Sequence, residues 1–243
     1  MKAFITGMGW ITPANMGCGR DHDRFEMMPG ELPAITRKAV FDKPYPHFGR
    51  LDRYSRLGLS AVAFALKDAH LNTWTRKRPI GIIASTVHGC LETDIDYYDT
   101  VVPADGRLAS PNLFAYTLPN SYLGEAAIRF GLTGTSYIIG VSTLADLWCL
   151  RLALVGICGG QFDKVLGGIC DLGQRPPYSD PDQTESGALF FVIEKKATHE
   201  YLIYGELGLG PDGELMFEGG AVKDLPALAQ HCIGSFSSKD PGP

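Results

Sequence analysis

The stretch Gly131–Cys158, GLTGTSYIIGVSTLADLWCLRLALVGIC, constrains the fold most, because it reads as a buried strand feeding directly into a buried helix. Tyr137, Ile138, Ile139 and Val141 form a partly β-branched apolar run bounded by Gly134 and the Ser142-Thr143 pair, the pattern of a strand covered on both faces. From Leu144 to Cys158 only Asp146 and Arg151 are charged, which predicts a helix inside a layered domain, N-capped by Ser142 or Thr143. A helix that starts at the end of a buried strand aims unpaired N–H groups and the positive end of its dipole at one spot. That spot suits a developing anion or a thiolate.

Within this stretch, GVSTLADL resembles the nucleophile turn of the β-ketoacyl synthases of the thiolase-like superfamily, usually V-S-T-A-C-A-S-G. Val141, Ser142 and Thr143 match, and the position of the nucleophilic cysteine holds Ala145. The resemblance continues through KAFITGMGWITP at Lys2–Pro13 and DRYSRLGLSAVAFALKDAHL at Asp52–Leu71. It includes SPNLFAYTLPNSYLGEAAIRFGL at Ser110–Leu132, with Pro119, Asn120, Gly124, Ile128, Gly131 and Leu132 in place. Lys164–Cys170 with Asp171 matches another family strand, and Ser186–Lys195 with Tyr201–Leu209 reads as an antiparallel pair.

What the resemblance implies is an α/β fold: a thiolase-like half, with a layered mixed five-stranded sheet, a buried central helix and flanking helices. It covers residues 1–210 and leaves 211–243 as a C-terminal extension, partly disordered, that frays from Ser235. The family's second half, with its two active-site histidines, has no counterpart in Pro211–Pro243, where His231 reads as a surface or docking histidine.

The residues read alone set further bounds. With 243 residues and 45% hydrophobic content, one substantial core is expected. G-M-G-W-I-T at Gly7–Thr12 fails as a dinucleotide fingerprint, since Thr12 stands in place of the third glycine. Ala14–Phe48 reads as a long loop with one short element near Ala39–Phe41. The net charge of -5 argues against nucleic acid as a main partner. Six cysteines without C-x-x-C or His-rich spacing favour reduced thiols and a cytoplasmic location, and no apolar run is long enough to span a membrane. Carboxylates in Leu91–Val102 lack His or Cys at metal spacing, so neither a metal nor a cofactor is expected. His88, in S-T-V-H-G after the strand Ile80–Ala84, has no identifiable thiol or hydroxyl partner and reads as a loop histidine.

Ala145 cannot attack a thioester, so no catalytic residue is expected. Cys149 is an outside candidate nucleophile whose plainer reading is a small buried hydrophobe, placed inside the helix rather than at its start. By the resemblance, Phe114, Tyr116, Leu118, Asn120 and Tyr122 would lie at a subunit interface and close an acyl tunnel, or else pack the core. Tyr137, Ile138, Ile139 and Val141 would pair with a partner's strand. Arg50, Arg53 and Arg56 would dock an acidic acyl carrier protein, or else solvate a helix face. The implied function is a chain-length-factor-type subunit in a heterodimer with an active β-ketoacyl synthase. The alternatives are an acyltransferase or thioesterase using Cys149 or another nucleophile, and a carrier-protein scaffold that pairs with itself.

Overall fold

The computed structural model describes residues 2–22, 24–173 and 185–237. Among them, strands β1 (Lys2–Ile11), β2 (Met16–Cys18), β3 (Ile80–Thr86), β4 (Ser136–Gly140), β5 (Lys164–Asp171), β6 (Gly187–Glu194), β7 (Gly205–Leu209), β8 (Leu215–Phe217) and β9 (Gly220–Ala221) form one mixed sheet. Its order is β4-β3-β5-β6-β1-β7-β8-β9, with β2 beside the end of β1. β4, β3 and β5 run parallel, and every other pairing is antiparallel. The α/β layered class is as expected, but the sheet is wider than five strands. Met16–Cys18 and the chain beyond Gly210 add strands too short to show alternation in the sequence. β6 and β7 do not pair with each other, contrary to expectation: β1 lies between them and satisfies its backbone on both edges.

Side-chain alternation along the strands builds a core on each face. Ile82, Leu166 and Phe190 point to one face, under α1 (Arg37–Val40), α2 (Arg53–Asp68) and α5 (Ser121–Phe130). Ile83, Val165 and Phe191 point to the other, under α6 (Trp148–Cys158) and α7 (Leu225–Ser237). Two further helices, α3 (Leu91–Val101) and α4 (Pro111–Phe114), lead from β3 toward α5. The helix enclosed most fully is α2, with 13 of its 16 residues buried and Asp52 Oδ1 accepting from Ser55 N at its start. In α6 only 6 of 11 are buried, and Trp148 (52% exposed) and Val155 (55%) look outward, so its all-round apolar pattern does not mean all-round burial.

The G-M-G pattern of β1 serves this packing. A Cβ on Gly9 would stand 2.2 Å from the backbone nitrogen of Ala65, and one on Gly7 2.7 Å from the Ala65 carbonyl oxygen, so both glycines let α2 lie directly on the strand. At the end of α2, the fully buried carboxylate of Asp68 ties four segments together. It accepts from Met8 N (2.8 Å), Arg20 N (3.1 Å) and Tyr204 Oη (2.8 Å), and pairs with an Arg20 guanidinium nitrogen at 3.0 Å.

The chain beyond 210 joins the same core rather than trailing from it. Leu225, Leu228, Ala229 and Cys232 of α7 are fully buried in the cluster that holds α6, and Gln230 Oε1 accepts from Phe25 N at 3.0 Å. α7 runs through Ser237, past the expected start of fraying at Ser235, and residues 238–243 lie outside the described residues. No helix among the described residues is long and apolar enough to cross a membrane.

Candidate functional site

The turn between β4 and α6 holds the position where a nucleophile would stand. The helix starts four residues later than expected, at Trp148 rather than Leu144, and neither Ser142 nor Thr143 caps it. Asp146 Oδ1 instead accepts from Trp148 N at 2.6 Å, while Thr143 Oγ1 accepts from Ala145 N at 2.9 Å and forms a turn of its own. Ala145 is half-buried, and its carbonyl oxygen accepts from Leu225 N (3.2 Å) at the head of α7. The segment after residue 210 thus fastens this turn from outside.

Cys149 is the second residue of α6, in its first turn, which corrects the expectation that it lies inside the helix. It is nonetheless closed off. Cys149 is fully buried between the sheet and the helix, and burial pushes its thiol up to about 12, with Asp146 adding to the rise; the neighbouring Ser85 hydroxyl acts the other way without offsetting it. Thiolate attack needs exposure and a lowered pKa, and Cys149 has neither. Cys18 and Cys90 are likewise buried and pushed up to about 12, and Cys158 is the one half-exposed cysteine of the six. Native alkylation with iodoacetamide should therefore label Cys158 first, followed by peptide mapping; rapid labelling of Cys149 would reverse this assignment.

His88 lies in the loop after β3, as read from the sequence, and has a carboxylate partner there. Its Nδ1 lies 3.0 Å from Asp171 Oδ1, at the end of β5. Asp171 is 1% exposed and gathers the loop after β3, accepting from Thr86 Oγ1 (2.8 Å), Val87 N (2.8 Å) and His88 N (2.7 Å), and from Gly173 N (2.7 Å) on its own side. Parallel pairing of β3 and β5 brings these positions together across more than 80 residues.

The tunnel and interface residues divide into two groups. Tyr116 and Tyr122 are buried in their own core, Tyr122 against the Tyr54 ring (5.5 Å between centroids) and over Gly58. Phe114 (62% exposed) and Leu118 (63%) project outward, and Asn120 is exposed at the N-cap of α5. β4 is the end strand of the sheet, and Tyr137, Ile138, Ile139 and Val141 are half-buried rather than covered on both faces. Val141 N donates to Thr86 O at 2.9 Å, so by the two-residue period the N–H groups of Ile138 and Gly140 face the open edge. Among the described residues no strand pairs there.

The three arginines do not form one free patch. Arg53 pairs with Glu92 at 2.8 Å, Arg56 is half-buried over the Phe48 ring and donates to Leu51 O, and Arg50 is exposed beside a shallow groove with Tyr116 and Glu125. Arg53 and Arg56 share a separate cavity of about 300 Å³ with Leu32, Ile35 and Leu172. Among the described residues no group of three or more His, Cys, Asp or Glu could hold a metal ion.

This architecture is the thiolase-like fold of the β-ketoacyl synthases. The chain is similar in structure to the ishigamide ketosynthase/chain length factor, with a TM-score of 0.62 at 16% identity over 85% of this chain and 62% of that one. It is also similar to the ketosynthase ApeO in complex with its chain length factor ApeC from Xenorhabdus doucetiae, with a TM-score of 0.55 at 19% identity over 82% of this chain and 81% of that one. A third likeness is to a beta-ketoacyl synthase from Burkholderia phymatum, with a TM-score of 0.58 at 18% identity over 85% of this chain and 62% of that one. In sequence, the putative polyketide beta-ketoacyl synthase 1 of Streptomyces halstedii is 26% identical over 198 residues, 70% of this chain and 46% of its own. The chain thus spans about half the length of the curated relative it matches. No family model matches it.

Proposed function

We propose that this chain is a non-condensing ketosynthase-like subunit, of the chain-length-factor kind, that pairs with an active β-ketoacyl synthase in polyketide or aryl-polyene-type chain elongation. The observation that carries this reading is the methyl group of Ala145 at the turn into α6, with the nearest thiol along the helix fully buried. Decarboxylative condensation needs a thiolate to carry the acyl chain and N–H donors at the oxyanion. The turn supplies neither a sulfur nor a helix start at the right residue.

The apolar edge of β4 supports pairing, since an open, half-buried edge strand rich in isoleucine invites another strand. Exposed Phe114 and Leu118 supply the bulk that would narrow a neighbouring acyl channel in this reading. Exposed Arg50 and Arg53 are where an acidic acyl carrier protein would dock, whereas Arg56 is committed to its own loop. Co-expression with a candidate synthase followed by native mass measurement tests this. A one-to-one heterodimer is expected, and two separate homo-oligomers would defeat the proposal.

A further inference from the structure

The ends of α1, α2 and α5 meet around a cavity of about 190 Å³, lined by Lys43 after α1, Lys67 near the end of α2 and Arg129 near the end of α5. It lies toward the amino ends of the parallel strands. Gly131, which follows α5, accepts from Arg78 N (2.8 Å) just before β3, and Gly134 N donates to Ile80 O at 3.1 Å. Ala145 follows the carboxyl end of β4, so the cavity is at the other end of these strands from the turn where a nucleophile would stand.

The unexplained group in this cavity is the Arg129 guanidinium. Its Nε is buried, yet none of its N–H donors finds an acceptor among the described residues. Aromatic faces alone hold it, with the ring centroids of Phe41, Tyr45 and Phe130 at 5.1, 5.4 and 5.9 Å. Glu125, one turn earlier and its natural partner on the helix, is engaged elsewhere: it accepts from Tyr45 Oη at 2.9 Å and faces His47 Nδ1 at 3.3 Å. The ammonium groups of Lys43 and Lys67 have no hydrogen bond or ion pair among the described residues either. Cations are at home near the carboxyl ends of helices. Here, however, Leu66 O already accepts from Leu71 N (2.6 Å), Arg129 O from Trp74 Nε1 (3.0 Å) and Phe130 O from an Arg78 guanidinium nitrogen (3.1 Å), so these carbonyls are taken.

We propose that this cavity binds a phosphate monoester of a small aromatic or apolar group, with the phosphate on Arg129, Lys43 and Lys67 and the organic group against Trp74. Asp42 is the one carboxylate among the described residues of the lining, so three cations stand against one anion. A monoester, with a charge of about −1.5 to −2 at neutral pH, matches that difference where a carboxylate would meet half of it. The guanidinium fork suits two phosphate oxygens at once. Trp74 is 40% exposed, and its indole is fixed by the bond to Arg129 O and by Gly131, where a Cβ would stand 2.5 Å from the ring. The cavity has the volume of about six waters, enough for a phosphate and a small ring but not for a long acyl chain.

The test is isothermal titration of the full chain with phenyl phosphate and with inorganic phosphate, and it does not depend on pairing with a synthase. Phenyl phosphate should bind one-to-one and at least about tenfold more tightly than inorganic phosphate, the gain from covering one ring. Arg129→Lys, which keeps the charge over the aromatic rings but loses the fork, should weaken phenyl phosphate at least about tenfold with little change in melting temperature. Trp74→Leu should erase most of the preference for the phenyl ester. Should Arg129→Lys fail to fold, the exposed pair Lys43→Gln with Lys67→Gln carries the test and should weaken binding at least about fivefold. No saturation below about 10 mM phenyl phosphate, inorganic phosphate bound as tightly as the ester, or a folded Arg129→Lys or double-glutamine chain within about twofold of the parent overturns the inference.

Discussion

Asp68→Ala should cost about 3–5 kcal/mol of stability, the range for removing one partner of a buried ion pair. The substitution leaves the Arg20 guanidinium, 17% exposed as a side chain, and the fully buried Tyr204 hydroxyl without their carboxylate. Arg20 would keep its bonds to the main-chain oxygens of Asp68 and Leu202 (both 2.6 Å) and its place over the Tyr204 ring, so the charge remains partly solvated by protein. Met8 N would lose its acceptor in the middle of β1, where α2 presses closest. Against a total stability of about 5–15 kcal/mol this is a large fraction. Urea unfolding should show a lower midpoint with an unchanged slope, and Asp68→Asn, which keeps an acceptor, should lose less. A loss under about 1 kcal/mol for the alanine variant would mean that hydrophobic packing alone holds α2 on the sheet.

Gly140→Pro should abolish pairing with a synthase while leaving the fold intact. Residue 140 is exposed, a Cβ there meets nothing within 4 Å, and its N–H faces the open edge rather than β3. Proline removes that donor and sets its ring in the path of an incoming strand, which is how edge strands are ordinarily blocked. The bonds between β3 and β4 come from the alternate residues and survive. Co-purification should fall at least about tenfold, with circular dichroism and melting temperature near those of the parent. Undiminished complex formation by a well-folded Gly140→Pro chain would move the interface away from β4.

The layered α/β class, the two long helices and most strands were legible because their apolar periods of two and 3.6 survive in single segments. Topology was less so. The strands around Phe190 and Leu207 are close in sequence, so a hairpin was the economical reading, and only the need of β1 for partners on both edges separates them. The start of α6 is not legible because Ser142 and Thr143 are both good capping types, whereas in the fold Thr143 and Asp146 each close a short turn of their own and no side chain caps the helix. Burial of Tyr116 and Tyr122 against outward Phe114 and Leu118 is a matter of rotation within a short segment, beyond what one sequence specifies. Ala145 was visible at once, whereas the His88–Asp171 pair joins loops far apart in the chain and emerges only from strand order.

The central claim is that this polypeptide carries no acyl nucleophile of its own. Intact-mass spectrometry of the co-purified assembly after incubation with an acyl-carrier thioester addresses it directly. The account predicts an acyl increment on the synthase and an unmodified mass for this chain, and a stable acyl adduct mapped to Cys149 or any other residue here would contradict it.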